Sequence, residues 1–311
     1  MDNADTSSTA EPTAAKKAHD VAAEDLSQSV LYEVVETHIC KITLNRPHRK
    51  NAMLPPVMNQ VLLEKFQQAQ EDDAVKVIVF GGAGTDFCSG EDTQRLPVES
   101  FGLKKGKRLP QSFRMRGMRN ILDSTLGPTL WGDKVVILAG QGAILGQGYS
   151  FAMTADLLVL SEDAYVSRRQ SRIGFAGFET QLPMTLLRLG LNRGMEALLT
   201  GRTMSAAELK EWGVANSVVP RDQLEEEAMR YARAVAAHST DNLMLGKRAL
   251  QQFYHGVGMA AFQNFATVAH PLFTNMVWRE DEANFLRERD KVGGRQAMKN
   301  LNKIWEDLGF K

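Results

Sequence analysis

Two glycine-rich turns carry the residues best placed for chemistry. Val77-Ile-Val-Phe80 is a short apolar run that leads to Phe87-Cys-Ser-Gly-Glu-Asp92. Val135-Val-Ile-Leu138 leads in the same way to Gly140-Gln-Gly-Ala-Ile-Leu-Gly-Gln-Gly-Tyr-Ser150. Each turn then meets helix-like sequence. Glycines permit tight turns whose backbone N–H groups point outward. One such group from each turn can converge on an oxygen that gains negative charge, and the N-terminus of a following helix adds its positive field. That arrangement would stabilise an enolate or another oxyanion. Gly148-Tyr-Ser-Phe-Ala152 also has the composition of a hydrolase nucleophile elbow, but Ser150 stands twelve residues past Leu138, whereas an elbow serine follows its strand directly. Gly140-Gln-Gly142 through Gly146 resembles a dinucleotide fingerprint, but its glycine spacing is one residue too long. The helix expected near residues 148–155 is also short for a crossover between parallel strands.

The elements that must hold these turns are legible as apolar patterns. Val34 to Leu44 alternates apolar and polar, which predicts a half-buried strand ended by Pro47. Val57, Val61, Leu62 and Phe66 have helical spacing within residues 57–71. Val75 to Phe80, Lys134 to Leu138 and Leu157 to Leu160 predict buried strands, and Val214 to Val219 a last one. Ser205-Ala-Ala-Glu208 and Asp222-Gln-Leu-Glu225 have the spacing of helix starts. Residues from about 241 to 308 read as helices with a charged face over Arg279 to Lys291. Strands alternating with helices, then helices alone, predict an α/β core with a helical C-terminal part.

Composition narrows the function classes. The chain has 311 residues, with 37 Lys plus Arg balanced by 37 Asp plus Glu. Zero formal charge argues against a general nucleic-acid footprint. Cys40 and Cys88 have no metal-ligand spacing and no disulfide framework, so both are expected in the core. No apolar run approaches the roughly 18 residues of a membrane span, and the N-terminus lacks the order of a signal peptide. The expected compartment is the cytoplasm. Residues 1–28 hold one Val, one Leu and no aromatic, which predicts a disordered tail.

Ordered along the chain, Asn45-Arg-Pro47, Asn51-Ala52, Phe87 to Asp92, Lys134 to Gly148, Leu199-Thr-Gly-Arg202 through Ala206, Gly213 and Val214, and the charged run ending in Glu288-Arg289 resemble landmarks of the crotonase (enoyl-CoA hydratase/isomerase) superfamily. The resemblance covers roughly residues 30 to 292. It implies a crotonase-like α/β spiral of ββα units over residues 29–220 and a helical trimerisation region over 221–311. It also implies coenzyme A as part of the substrate, and a homotrimer or dimer of trimers; no separate cofactor, no metal and no membrane partner are expected. Carried over by position, the two oxyanion-holding N–H groups fall on Glu91 and Gln147. Gln147 stands where the family usually has glycine; it would lack glycine's freedom at φ > 0, and its side chain would take up pocket space.

Hydratases of this family use two glutamates, and the matching positions here are Ser150 and Gln170. Neither is a carboxylate, yet hydration needs one group to deprotonate water and another to protonate carbon. Other members place a carboxylate further along the same loop. In Gly174-Phe-Ala-Gly-Phe-Glu-Thr180 that residue is Glu179, at the aspartate position of β-diketone hydrolases such as 6-oxocamphor hydrolase. Glu179 is therefore the first candidate for general acid/base. Asp92 is expected as a helix cap. A carboxylate on Glu91 would oppose an enolate unless protonated or turned away, so Glu91 ranks as a backbone donor. Tyr149, Ser150 and Gln170 are candidates to orient water or a polar substrate. Arg168, with Arg169 and Arg172, could hold a substrate carboxylate or a CoA phosphate. Arg49, Lys50 and the seven basic residues of 101–119 are candidates for the same phosphates. The implied function is an enzyme that hydrates, isomerises or hydrolyses an acyl-CoA through an enolate. The alternatives are a carbon–carbon bond hydrolase of a cyclic β-diketone and a non-catalytic crotonase-fold binding protein.

Overall fold

The alternation across Val34 to Leu44 resolves into a hairpin, not one strand. β1 (Val30–Glu36) and β2 (Ile39–Leu44) pair antiparallel. His38 turns the chain at φ 70°, and its Nδ1 lies 2.8 Å from the Ala74 carbonyl. Alternation reads the same on both sides of so short a turn, and no glycine or Asn-Gly pair marks it. The computed structural model describes residues 25–92, 110–173, 178–275 and 278–310, with side chains at 178–181 and 273–275 outside the description. The expected tail therefore lies mostly outside the described residues; from Asp25 onward the chain packs, with Leu26 and Ser29 buried.

Four strands extend the sheet in parallel: β3 (Val77–Gly82), β4 (Val135–Gly140), β6 (Leu157–Ser161) and β9 (Ser217–Val219). The order is β1-β2-β3-β4-β6-β9. A smaller sheet holds β5 (Ala143–Leu145), β7 (Tyr165–Ser167) and β8 (Met204–Ser205). Cys88 bridges Ile144 of that sheet in parallel. Each winding thus puts one strand in the large sheet and one short extended segment in the small sheet. β3 leads to Cys88, β4 to β5 and β6 to β7, which is the ββα spiral that the resemblance implies. β5, β7 and β8 are too short to show a periodicity.

Packing fixes the turns from beneath. Helix α1 (Val57–Glu71) contributes Phe66, and α4 (Gln147–Thr154) contributes Phe151. Phe80 of β3 stands edge-on to Phe66, Phe87 and Phe151, with ring centroids 5.3, 5.3 and 5.1 Å away. The first turn, the second turn and the sheet therefore share one aromatic core. Burial pushes the thiols of Cys40 and Cys88 up to about 12, so both stay protonated as core residues.

Helices cover the rest. These are α2 (Gln111–Thr125), α3 (Gly127–Leu130), α5 (Phe178–Thr200) and α6 (Ala206–Glu211), followed by α7 (Leu224–Ala236), α8 (Thr240–Gly256) and α9 (Met259–Ala269). Ser205 and Glu208 form the expected capping box of α6. Asp222 does not cap a helix: a 3-10 turn, Arg221–Gln223, intervenes, and α7 starts at Leu224. α10 (Phe285–Val292) and α11 (Gly294–Asp307) form a hairpin whose Phe285, Ala297 and Leu301 pack on Ile173. Of the basic stretch, Lys104, Lys105, Lys107 and Arg108 lie outside the described residues, while Arg114 is buried in α2. No helix among the described residues is long and apolar enough to cross a membrane.

Candidate active site

Backbone hydrogen bonds zip the two glycine turns together. Phe87 N–H donates to Gln141 O at 2.7 Å, Cys88 N–H to Ala143 O at 3.0 Å, and Leu145 N–H to Cys88 O at 2.8 Å. A Cβ on Gly148 would stand 2.8 Å from Cys88 O, so this approach needs glycine. On its other side the first turn pairs with Met53. Met53 N–H donates to Gly90 O and Asp92 N–H to Met53 O, both at 2.8 Å. Those two bonds flank Glu91, so in this parallel bridge the N–H of Glu91 points to the opposite side. That side is the second turn: Glu91 N lies 3.8 Å from where a Gly146 Cβ would be.

Gln147 is the first residue of α4, so its N–H lies outside the helix's own ladder and at the positive end of its dipole. The required left-handed conformation falls on Gly146, at φ 54°, and Gln147 is not among the positive-φ residues. Replacing the family's glycine with Gln147 therefore strains no backbone, contrary to the expectation from sequence. The side chain packs against α2. It is 2% exposed, and its Nε2 donates to Thr125 Oγ1 of α2 at 2.6 Å. Its Oε1 is buried and has no partner among the described residues.

Ser150 is buried one turn into α4, with Oγ 3.5 Å and N–H 3.3 Å from Gly146 O. Tyr149 points into the core instead of the site, with its hydroxyl 2.8 Å from Thr185 Oγ1 and pushed up to about 12 by burial. The Glu91 carboxylate stays beside the second turn, with Oε2 2.9 Å from the Gly146 Cβ position. Asp92 is a buried charge partner, and the helix it is expected to cap would fall outside the described residues. Its carboxylate takes Arg49 Nη2 at 2.8 Å and Arg46 Nη2 at 3.3 Å. Arg49 is thus committed to Asp92, whereas Lys50 is exposed and 3.6 Å from Asp86.

Arg168 is 5% exposed and donates from Nη1 to Gly146 O at 3.2 Å. That inward position does not suit a phosphate approaching from solvent. Gln170 is half-buried, and its Oε1 has no partner among the described residues. Arg169 bonds Thr203, and Arg172 is fully buried against Thr200 O. Glu179 is the second residue of α5, and its side chain lies outside the described residues. Asn51, at φ 52°, does more than mark a landmark: its Nδ2 donates to Ala83 O and Asp86 O at 2.8 Å each. A cleft of 380 Å³ between α2, α8 and α9 is lined by Arg119, Asp123, Trp131 and His255 and includes no residue of either turn.

The sequence matches the enoyl-CoA hydratase/isomerase family over residues 35–292. This chain belongs to that family. A probable enoyl-CoA hydratase of Mycobacterium bovis is 34% identical over 223 residues, 71% of this chain and 76% of its own length. The 1,2-epoxyphenylacetyl-CoA isomerase of Escherichia coli is 28% identical over 70% of this chain and 79% of its own. A crystal structure of a probable enoyl-CoA hydratase from Mycobacterium smegmatis aligns with a TM-score of 0.68 at 29% identity, over 79% of this chain and 94% of that one.

Proposed function

We propose that this protein binds an acyl-CoA thioester and holds the oxygen of its enolate with the N–H groups of Glu91 and Gln147. The observation that carries this reading is the pair of interlocked turns, with Glu91 N–H directed at the second turn and Gln147 N–H opening α4. Removing a proton beside the thioester carbonyl places negative charge on its oxygen, where preorganised donors act without reorganisation. Coenzyme A as part of the substrate is supported by relatives named as enoyl-CoA hydratases and an acyl-CoA isomerase.

Neither Ser150 nor Gln170 carries a proton as a carboxylate does. Glu179, at the start of α5, is the acid/base candidate. One carboxylate suffices for a double-bond shift: it takes a proton from one carbon and returns it to another, and no group is left uncompensated. Hydration by the family's route uses two carboxylates, one on the water and one at the carbon, and those positions are Ser150 and Gln170 here. The balance therefore favours proton shuttling through an enolate over addition of water by a glutamate pair.

Calorimetric titration with CoA and with acetyl-CoA tests the reading. Binding of both is expected, and no binding of either would overturn it. A cyclic β-diketone hydrolase would use the same donors without CoA, so turnover of such a ring by a protein that ignores CoA would replace the present reading. Glu179→Gln is expected to abolish turnover while acyl-CoA binding persists. Full activity in that variant would remove Glu179 and turn attention to Glu91. A non-catalytic protein would bind CoA with no Glu179-dependent turnover of any enoyl-CoA.

A further inference from the structure

We propose that Arg168 is a positioning residue that strengthens the Gln147 N–H donor through the peptide unit that contains it. The carbonyl of Gly146 and the N–H of Gln147 belong to one amide. Arg168 Nη1 donates to that carbonyl at 3.2 Å, from a side chain only 5% exposed. A cationic donor on the carbonyl oxygen draws electron density from the amide nitrogen through the C–N partial double bond. The N–H on the opposite edge becomes a better donor, as in any polarised hydrogen-bond chain.

Among the described residues, the other contacts on this carbonyl are Ser150 N–H at 3.3 Å and Ser150 Oγ at 3.5 Å. Both are neutral, whereas the guanidinium is charged, so it is the stronger of these partners. Burial keeps solvent from screening it. Arg168 comes from the segment after β7, the third winding of the spiral, and reaches back to the second winding. The fold therefore supplies a fixed positive charge behind the donor, on the side away from the substrate, and adds it to the dipole of α4. Nothing in this arrangement requires Arg168 to touch the substrate.

This role rests on the reading that Gln147 N–H holds the thioester oxygen. The test uses butyryl-CoA carrying carbon-13 at its thioester carbonyl, which has no double bond to transform. Its carbonyl stretch is measured by infrared difference spectroscopy on the full-length protein. The wild type is expected to shift the stretch to lower frequency. Arg168→Met should bind the probe yet lose at least half of that shift, and Arg168→Lys should keep most of it. With an enoyl-CoA that turns over, Arg168→Met should lower kcat about tenfold with little change in KM. That is less than the roughly 100-fold cost of deleting an oxyanion donor, because the donor remains. Arg168→Gln, neutral but still able to donate, should fall between, and it serves if the methionine variant does not fold. A full shift in the neutral variants overturns the role of Arg168 alone. No shift in the wild type overturns the oxyanion reading, and this role with it.

Discussion

Gly146 is where two constraints meet in one residue. It adopts φ 54°, and a Cβ there would stand 2.9 Å from Glu91 Oε2 and 3.0 Å from Gly90 Cα. Gly146→Ala therefore has to push the two donor turns apart. The backbone conformation, φ 54° with ψ −112°, lies in a sparsely populated region that costs alanine on the order of 1–3 kcal/mol. Because both N–H groups move, kcat is expected to fall by roughly 100-fold or more while the protein still melts cooperatively; unchanged kcat would show that the turns do not form the oxyanion site. Glu91 makes the opposite prediction. Its N–H is the proposed donor, while its carboxylate lies beside the hole and opposes a forming enolate. Glu91→Gln keeps the N–H and removes the charge, so kcat should hold or rise. A large loss in that variant would make Glu91 an acid/base residue.

The elements that present these residues were legible to different degrees. The strands β3, β4 and β6 are buried apolar runs, and the glycine turns announce themselves because only glycine fits Gly146 and Gly148. β5, β7 and β8 carry two or three residues each and exist because the spiral closes on itself, so no local pattern marks them. The contacts that tune the site join residues distant in sequence, such as Gln147 to Thr125 and Arg168 to Gly146, and side-chain type alone cannot pair them. Arg172 is the extreme case. It is fully buried, with Nε 2.7 Å from Thr200 O, Nη2 3.3 Å from Phe310 O, and its guanidinium 5.7 Å from the Trp305 ring. Burial lowers its pKa to about 10. Arg172 thereby fastens the loop carrying Gln170 to the end of α11. Trp305→Ala removes the ring face, a contact of about 1 kcal/mol. It should raise hydrogen exchange in residues 168–173 with a small change in melting temperature, and unchanged exchange there would uncouple α11 from the loop. Helix α7 offers a pH test. Hydrogen bonds from Arg230 and Ser217 lower the Glu227 carboxyl from 4.5 to about 2. A lowered folded pKa gives stability that is complete above 4.5 and lost as pH falls toward 2. Glu227→Gln should flatten the acid limb of stability in that window, and an unaltered limb would show that the pairing adds nothing.

At the scale of the whole molecule, the helical region is firmly held on one side and apolar on the other. Lys247 of α8 reaches into the core to Asp156 at 2.8 Å, and Arg248 bonds Asp133 at 2.8 Å, so α8 is tied to the sheet. Its outer face nevertheless shows Leu245 at 71% and Phe253 at 51% exposure, and α9 adds Phe265 at 57%. Rigid helices that leave several large apolar side chains in water fit a surface meant for another protein copy better than a free one. The zero formal charge of the chain adds no net repulsion between copies near neutral pH. The family resemblance implies a trimer or a dimer of trimers built through this C-terminal region. Light scattering coupled to gel filtration is therefore expected to report three copies or a multiple of three at micromolar concentration. Phe265→Glu combined with Leu245→Glu should shift the population toward single chains, because each buried carboxylate would lack a partner. Far-ultraviolet circular dichroism should stay unchanged, since both side chains are exposed in the single chain. Wild type that runs as a monomer, or a double variant that keeps its mass, would detach these helices from assembly and leave their apolar faces to another partner.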